Sequence, residues 1–293
     1  MSKSLPLVEG NAFVLGFRQQ TEWSALIASA FFFGKVGAGL FMISVATQSR
    51  LGMLLGLLIV VGGKGGAHLL FLGRPSRFWR GMSRPMTSWI ARGLWAMTFM
   101  VMLGGWALLL PTDSTLFMPV AIIASLFAFV VAIYDGFLLT SSNAIPIWNT
   151  ALMPVMCMFY SFLGGTTMTL FLAHFGFIQL AVSEQLLSTI EMALLVVNLL
   201  VVIMYLVTSV TAGLAGKTSF DLLIKGPYAL RFFSLAIGVG LVFTLLMTYF
   251  AGSQASPGII ALITVADLTG HYYIFYLLLK IGVFKPILGQ LKI

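Results

Sequence analysis

The sequence predicts an all-α integral membrane protein with eight transmembrane helices, and three observations predict it. Of the 293 residues, 60% are hydrophobic and only 8% are charged, a balance outside that of soluble domains. The apolar residues are gathered into runs long enough for a hydrocarbon core about 30 Å thick, which takes roughly 20 residues of helix. Runs such as LLGLLIVVGG and MALLVVNLLVVIMYLV are apolar on every side, whereas the strands of a membrane barrel alternate. Helices satisfy their own backbone hydrogen bonds in lipid, so they are the expected element.

Taken in order, the spans are expected near 23–48, 52–72, 88–110, 115–140, 147–173, 188–214, 229–251 and 257–282. The first is long enough to tilt or project, and it carries Lys35 near its middle within FFFGKVGAG. The second carries Lys64 and His68 within VGGKGGAH. The third has Arg92 one turn in. The fourth ends on Tyr134 and Asp135. The fifth holds the lone cysteine, Cys157, and the small-residue run FLGGTT. The sixth holds Glu191, and the eighth holds Asp267 and His271. The longest connections fall at 73–87, 174–187 and 215–228, which leaves no soluble domain. The first 22 residues include Lys3, Glu9, Arg18 and Glu22 and lack a compact apolar core, so no cleaved signal peptide is expected.

Let side X be the side from which the first span starts. Alternation then places Lys3, Arg18, Arg74, Arg77, Arg80, Arg84, Arg92, Lys217, Lys225, Arg231, Lys280, Lys285 and Lys292 on side X, and only Arg50 on the opposite side, Y. Both chain ends fall on side X, and the positive-inside rule makes it cytoplasmic. The same bias accounts for most of the net charge of +8, so nucleic acid is not an expected partner; lipid is.

Charged groups inside a membrane are costly and mark pathways or binding sites. At 1.5 Å of rise per residue, His68 lies about 6 Å from the X end of its span, with Lys64 one turn deeper on the same face. Asp135 and Tyr134 lie about 8 Å below theirs. Lys35, Lys64, His68, Arg92, Tyr134 and Asp135 therefore converge on the X-side half of spans one to four. One reading is structural: a lysine pairs with Asp135 to hold helices together and Arg92 snorkels to the surface. The other is a polar pocket for a ligand or protons, and His68, with an ordinary pKa of about 6.5, suits proton exchange. Asp267 and His271, four apart, share a helix face and with Glu191 form either a proton route or a structural seam. His68 and His174 lie near opposite sides, which fails the facing pair that haem ligation needs. One cysteine cannot hold an iron–sulfur cluster, and no ligand spacing for a metal is visible. Glycine costs helix stability, so the small-residue runs call for close backbone approach or room for a ligand. GGKGG lacks the spacing of a phosphate loop.

Two segments carry more than composition: GGAHLLFLGRPSRFWRGMSRPMTSWIARG (65–93) and YDGFLLTSSNAIPIWNT (134–150). With WSALIASAFFFGKVGAGLF at the start of the first span, they resemble the NrfD-type family, which includes the membrane subunit of polysulfide reductase. The H-L-x-x-L-G-x-P core is the specific part; the second half of the chain matches mainly in helix count. The resemblance implies a respiratory subunit of a prokaryotic cell membrane, folded as two four-helix bundles, here 1–140 and 141–293. It implies reaction with menaquinone or ubiquinone at a site among the first four helices, with no haem or iron–sulfur cluster on the chain. It implies a ferredoxin-like iron–sulfur subunit docked at the quinone side and a catalytic subunit beyond, often of molybdopterin type. His68 corresponds to a histidine that affects quinol reactions in relatives, and Tyr134 to a headgroup hydrogen-bond donor. The residue set is therefore His68, Tyr134 and Asp135 for proton chemistry, and Lys64, His68, Tyr134, Lys35 and Arg92 for binding. Lys35 and Lys64 depart from the family pattern, and many members dock their partner outside the cytoplasm, whereas the charge bias here puts side X inside. Alternatives of other classes are a proton-coupled transporter, against which stands the lack of a visible inverted repeat, and a purely structural anchor.

Overall fold

The computed structural model describes residues 8–9, 16–111, 113–251 and 255–286; Lys3 and Lys292 lie outside them. Eight helices long and apolar enough to cross a membrane are present: Ala25–Ala46, Arg50–Phe71, Trp89–Leu109, Phe117–Thr140, Leu152–His174, Glu184–Val210, Ala229–Ala251 and Pro257–Lys280. They are called the first to eighth spans below. A shorter helix, Gly213–Ile224, lies in the connection before the seventh.

Two boundaries differ from the sequence expectation, each for a local reason. The fifth span starts at Leu152. The apolar residues Ile145, Ile147 and Trp148 before it are buried but lie in turns. There Pro146 interrupts the run, and Asn149 bonds back to the Thr140 carbonyl and to Asn143. The sixth span starts at Glu184 because the Ser183 hydroxyl caps it, accepting from the Leu186 N–H at 3.2 Å. The connection expected at 174–187 is correspondingly shorter. Gly176, at φ +73°, ends the fifth span in the left-handed conformation that glycine favours.

Helix ends inside or near lipid need partners for their last carbonyls. Arg50 supplies them on side Y, donating to the Leu108 and Leu110 carbonyls at 2.6 Å each. On side X the chain ends do so. Gln19 and Gln20 donate to the carbonyls of Lys280 and Leu279 at 2.6 and 2.5 Å. The strand Arg18–Gln19 pairs antiparallel with Val283–Phe284 and parallel with Val8–Glu9.

Burial sets the arrangement. In the first and fifth spans 67% of the most apolar stretch is buried, against 28% in the second, third and seventh, so the first and fifth are central. One apolar cluster joins Phe41, Met53, Met100 and Ala128 of the first four spans; another joins Phe31, Tyr160, Val202 and Phe275 of the first, fifth, sixth and eighth. The first span contributes to both. The small-residue runs of the first and fifth spans meet: a side-chain carbon added at Gly39 would overlap the Ser161 carbonyl, and one at Gly165 would overlap Gly39. Contact this close is what small residues allow in membranes. Within the second span, Ile59–Gly65 is π-helical, a wider turn often found where function requires one.

Candidate functional site

The first, second and fourth spans bring Lys35, Lys64 and Asp135 into one buried cluster. None of the three side chains is more than 1% exposed. Lys64 Nζ lies 3.0 and 2.9 Å from the two oxygens of Asp135; Lys35 Nζ lies 3.4 Å from one of them. Two ammonium groups thus share one carboxylate. Their remaining donors find weaker partners: Lys35 the Phe31 carbonyl at 3.3 Å, Lys64 the Ala30 carbonyl at 3.4 Å. Aromatic faces complete the shell, with Phe275 4.0 Å from Lys35 Nζ and Tyr134 4.6 Å from Lys64 Nζ. Such faces attract cations most where water is excluded. The backbone makes room for this: a side chain at Gly34 would strike Lys64, and one at Gly93 would overlap the Tyr134 ring.

His68 is half-buried one turn above Lys64. Its Nδ1 is 2.9 Å from the Lys64 carbonyl. A carbonyl only accepts, so Nδ1 carries the hydrogen and Nε2 is left for a ligand or a proton. Below it the second span is nearly bare. Nothing lies within 4 Å of a side-chain carbon added at Gly62 or Gly66, and at Gly65 only the span's own Val60 carbonyl does. Gly63 packs against the Phe33 ring, so the open strip at Gly62 and Gly66 lies on the outer face of the span, turned away from Lys64.

Tyr134 is buried, its ring between Lys64 and Gly93. Arg92 is employed elsewhere. It donates to the Pro85 and Met86 carbonyls at 2.8 and 2.6 Å and lies 4.4 Å over Trp89. With Trp95, which donates to the Met82 carbonyl at 3.1 Å, it fastens the Arg-rich connection to the third span. That connection includes the short helix Pro75–Met82, with no buried residue and with Phe78 and Trp79 exposed.

A second polar cluster lies in the Y-side half. Thr167 Oγ1 is 2.7 Å from Glu191 Oε1 and 2.9 Å from Asp267 Oδ2. His271, one turn from Asp267, is buried among Phe32, Tyr160 and Phe275. Sequence reasoning singled out the three ionisable members and missed Thr167 and Tyr160. A threonine in an apolar run carries no charge signal; the available signal was that Tyr160, Gly164 and Thr167 share one face of the fifth helix by their spacing. A family model described as polysulphide reductase, NrfD, matches residues 14–285 of the chain. No curated protein matches it.

Proposed function

This chain belongs to the polysulphide reductase NrfD family, membrane subunits of quinone-linked oxidoreductase complexes, and from that premise we propose that it takes a menaquinone or ubiquinone headgroup beside His68. Electrons pass between that headgroup and an iron–sulfur subunit docked on side X, behind which stands a catalytic subunit of molybdopterin type. The observation that carries the proposal is the setting of His68: half-buried, its Nδ1 held by the Lys64 carbonyl, and one turn from the buried Lys35–Lys64–Asp135 cluster.

The residues fit such a ligand. Exposed Leu69, Leu70 and Phe71, next along the span from His68, offer apolar surface for an isoprenoid tail. A bound quinone supplies two-electron, two-proton chemistry. His68 Nε2 takes or returns a proton, while its Nδ1–H bond to the Lys64 carbonyl fixes the tautomer and the ring plane. Lys64 and Lys35 place positive charge behind the ring, with Asp135 as their common counter-ion and Tyr134 as part of the same polar wall. Arg92 acts through the loop it fastens, and the basic rim of Arg74, Arg77, Arg80 and Arg84 meets an acidic partner surface. The positive-inside rule puts that rim, and so the docked partner, in the cytoplasm of a prokaryotic cell.

The test is His68→Ala in the intact complex. Loss of a positioned acid–base group costs about 10²–10⁴ in rate. Quinol-dependent turnover should fall by at least about tenfold, while partner co-purification and turnover with a soluble redox dye stay at wild-type level. Unchanged quinol turnover removes His68 from the reaction.

A further inference from the structure

The Y-side cluster contains two buried acids, Glu191 at 3% and Asp267 at 1% exposure. Among the described residues, no ion pair reaches either one. Between them stands one hydroxyl, within hydrogen-bond distance of both. A threonine hydroxyl has a single hydrogen, so it donates to one carboxyl and must accept from the other. The accepting contact requires a carboxylic O–H. One proton on the pair satisfies both contacts, and it removes the cost of burying two like charges without a counter-ion.

Glu191 and Thr167 face a cavity on the side towards Y. A cavity of about 20 Å³, room for a single water, is lined by Thr167, Glu191, Thr248, Thr264, His174 and Glu184. Thr248 is 5% exposed, and its hydroxyl has no protein partner; nor has Asp267 Oδ1. At the mouth His174 Nδ1 lies 3.6 Å from Glu184 Oε2, both side chains reaching the surface. In the other direction, among the described residues, neither ring nitrogen of buried His271 has a hydrogen-bond partner, and the Tyr160 hydroxyl has none. The Phe275 ring that faces His271 also carries the Lys35 ammonium at 4.0 Å. By helix rise, Thr167 lies about 10 Å from the Y end of its span, while His271 and Lys35 lie about 14–15 Å from side X. Polar groups thus descend through the protein in steps, with an aromatic layer between the two clusters.

We propose that Glu191, Thr167 and Asp267 form a proton-loading site fed from side Y, and that His271 and Tyr160 relay its proton to or from the Lys35–Lys64–Asp135 cluster. The use made of the proton, balancing the two taken up or released per quinone, rests on the quinone reading above; the loading site does not. The groups facing it from neighbouring spans are Thr248, Ser188, His174 and Glu184 on the Y side, and His271, Tyr160 and Lys35 on the X side.

Two measurements on the intact complex separate these claims. Infrared difference spectra in H₂O and D₂O should show a protonated-carboxyl carbonyl band at neutral pH. It should vanish in the Asp267→Asn, Glu191→Gln double variant and move in Thr167→Val, with Thr167→Ser restoring it. Absence of the band in the parent complex, or its persistence in the double variant, overturns the loading site. With the complex oriented in vesicles, turnover-linked proton exchange at side Y should fall at least tenfold in Asp267→Asn and in Thr167→Val and recover in Thr167→Ser. Unaltered exchange in both overturns the relay. Because the infrared band does not depend on quinone, a failed His68 assignment with the band intact sinks the quinone reading alone.

Discussion

The two buried clusters face the same problem, polar groups taken out of water, and solve it oppositely. The X-side cluster has two cations for one anion and relies on direct pairing, backbone carbonyls and aromatic faces. The Y-side cluster has two acids that, among the described residues, no ion pair reaches, and one hydroxyl between them. Burial of a charge is tolerated only when it is paired and hydrogen-bonded. The comparison teaches that the first cluster pairs groups of opposite sign directly, whereas the second separates two groups of the same kind by a hydroxyl.

The sharpest way to break that comparison is to make the same substitution in both. Asp135→Asn leaves two ammonium groups facing a neutral amide. Removing one partner of a buried pair costs about 3–5 kcal/mol, so loss of assembled complex, or a large fall in thermal midpoint, is expected. Asp267→Asn replaces a carboxyl that the hydroxyl geometry already allows to be protonated, and an amide both donates and accepts. Its cost should stay below about 1 kcal/mol. If the two variants melt alike, the second cluster is charged and the contrast is lost.

Within the first cluster the lysines should rank by geometry. Lys64 holds both oxygens of Asp135 at 2.9–3.0 Å, and hydrogen bonds to charged groups are worth about 1.5–3 kcal/mol. Lys64→Met should lose an amount of that order, and Lys35→Met, with its one 3.4 Å contact, less than half as much in the same thermal scan. The smallest effect is expected from Gly164→Ala. The added carbon would stand 3.1 Å from His271 Nδ1, so turnover-linked proton exchange should slow by a few-fold at an assembly level equal to the parent's.

Much of this was legible in the sequence. The span count follows from apolar length alone, and Lys35, Lys64 and Asp135 stood out because a charge in an apolar run has few explanations. The boundary shifts came from residues whose role depends on neighbours: Ser183 as a cap, and Trp148 buried outside a helix by donating to the Leu278 carbonyl. A sixth span beginning at 188 puts Glu191 one turn from its Y end; the start at Glu184 puts it two turns inside. That both lysines share Asp135, and that Arg92 serves the loop, are tertiary facts that spacing along one helix cannot contain. Thr167 was hidden for a different reason: its importance lies in having one hydrogen between two acids, and the acids come from other spans.

The seam at Gly39 and Gly165 has a mechanical consequence. With main chain against main chain and the Ser161 hydroxyl donating to the Lys35 carbonyl at 2.8 Å, no layer of side chains is left there on which the two central helices might glide. A cycle of swinging halves would have to tear this weld each time.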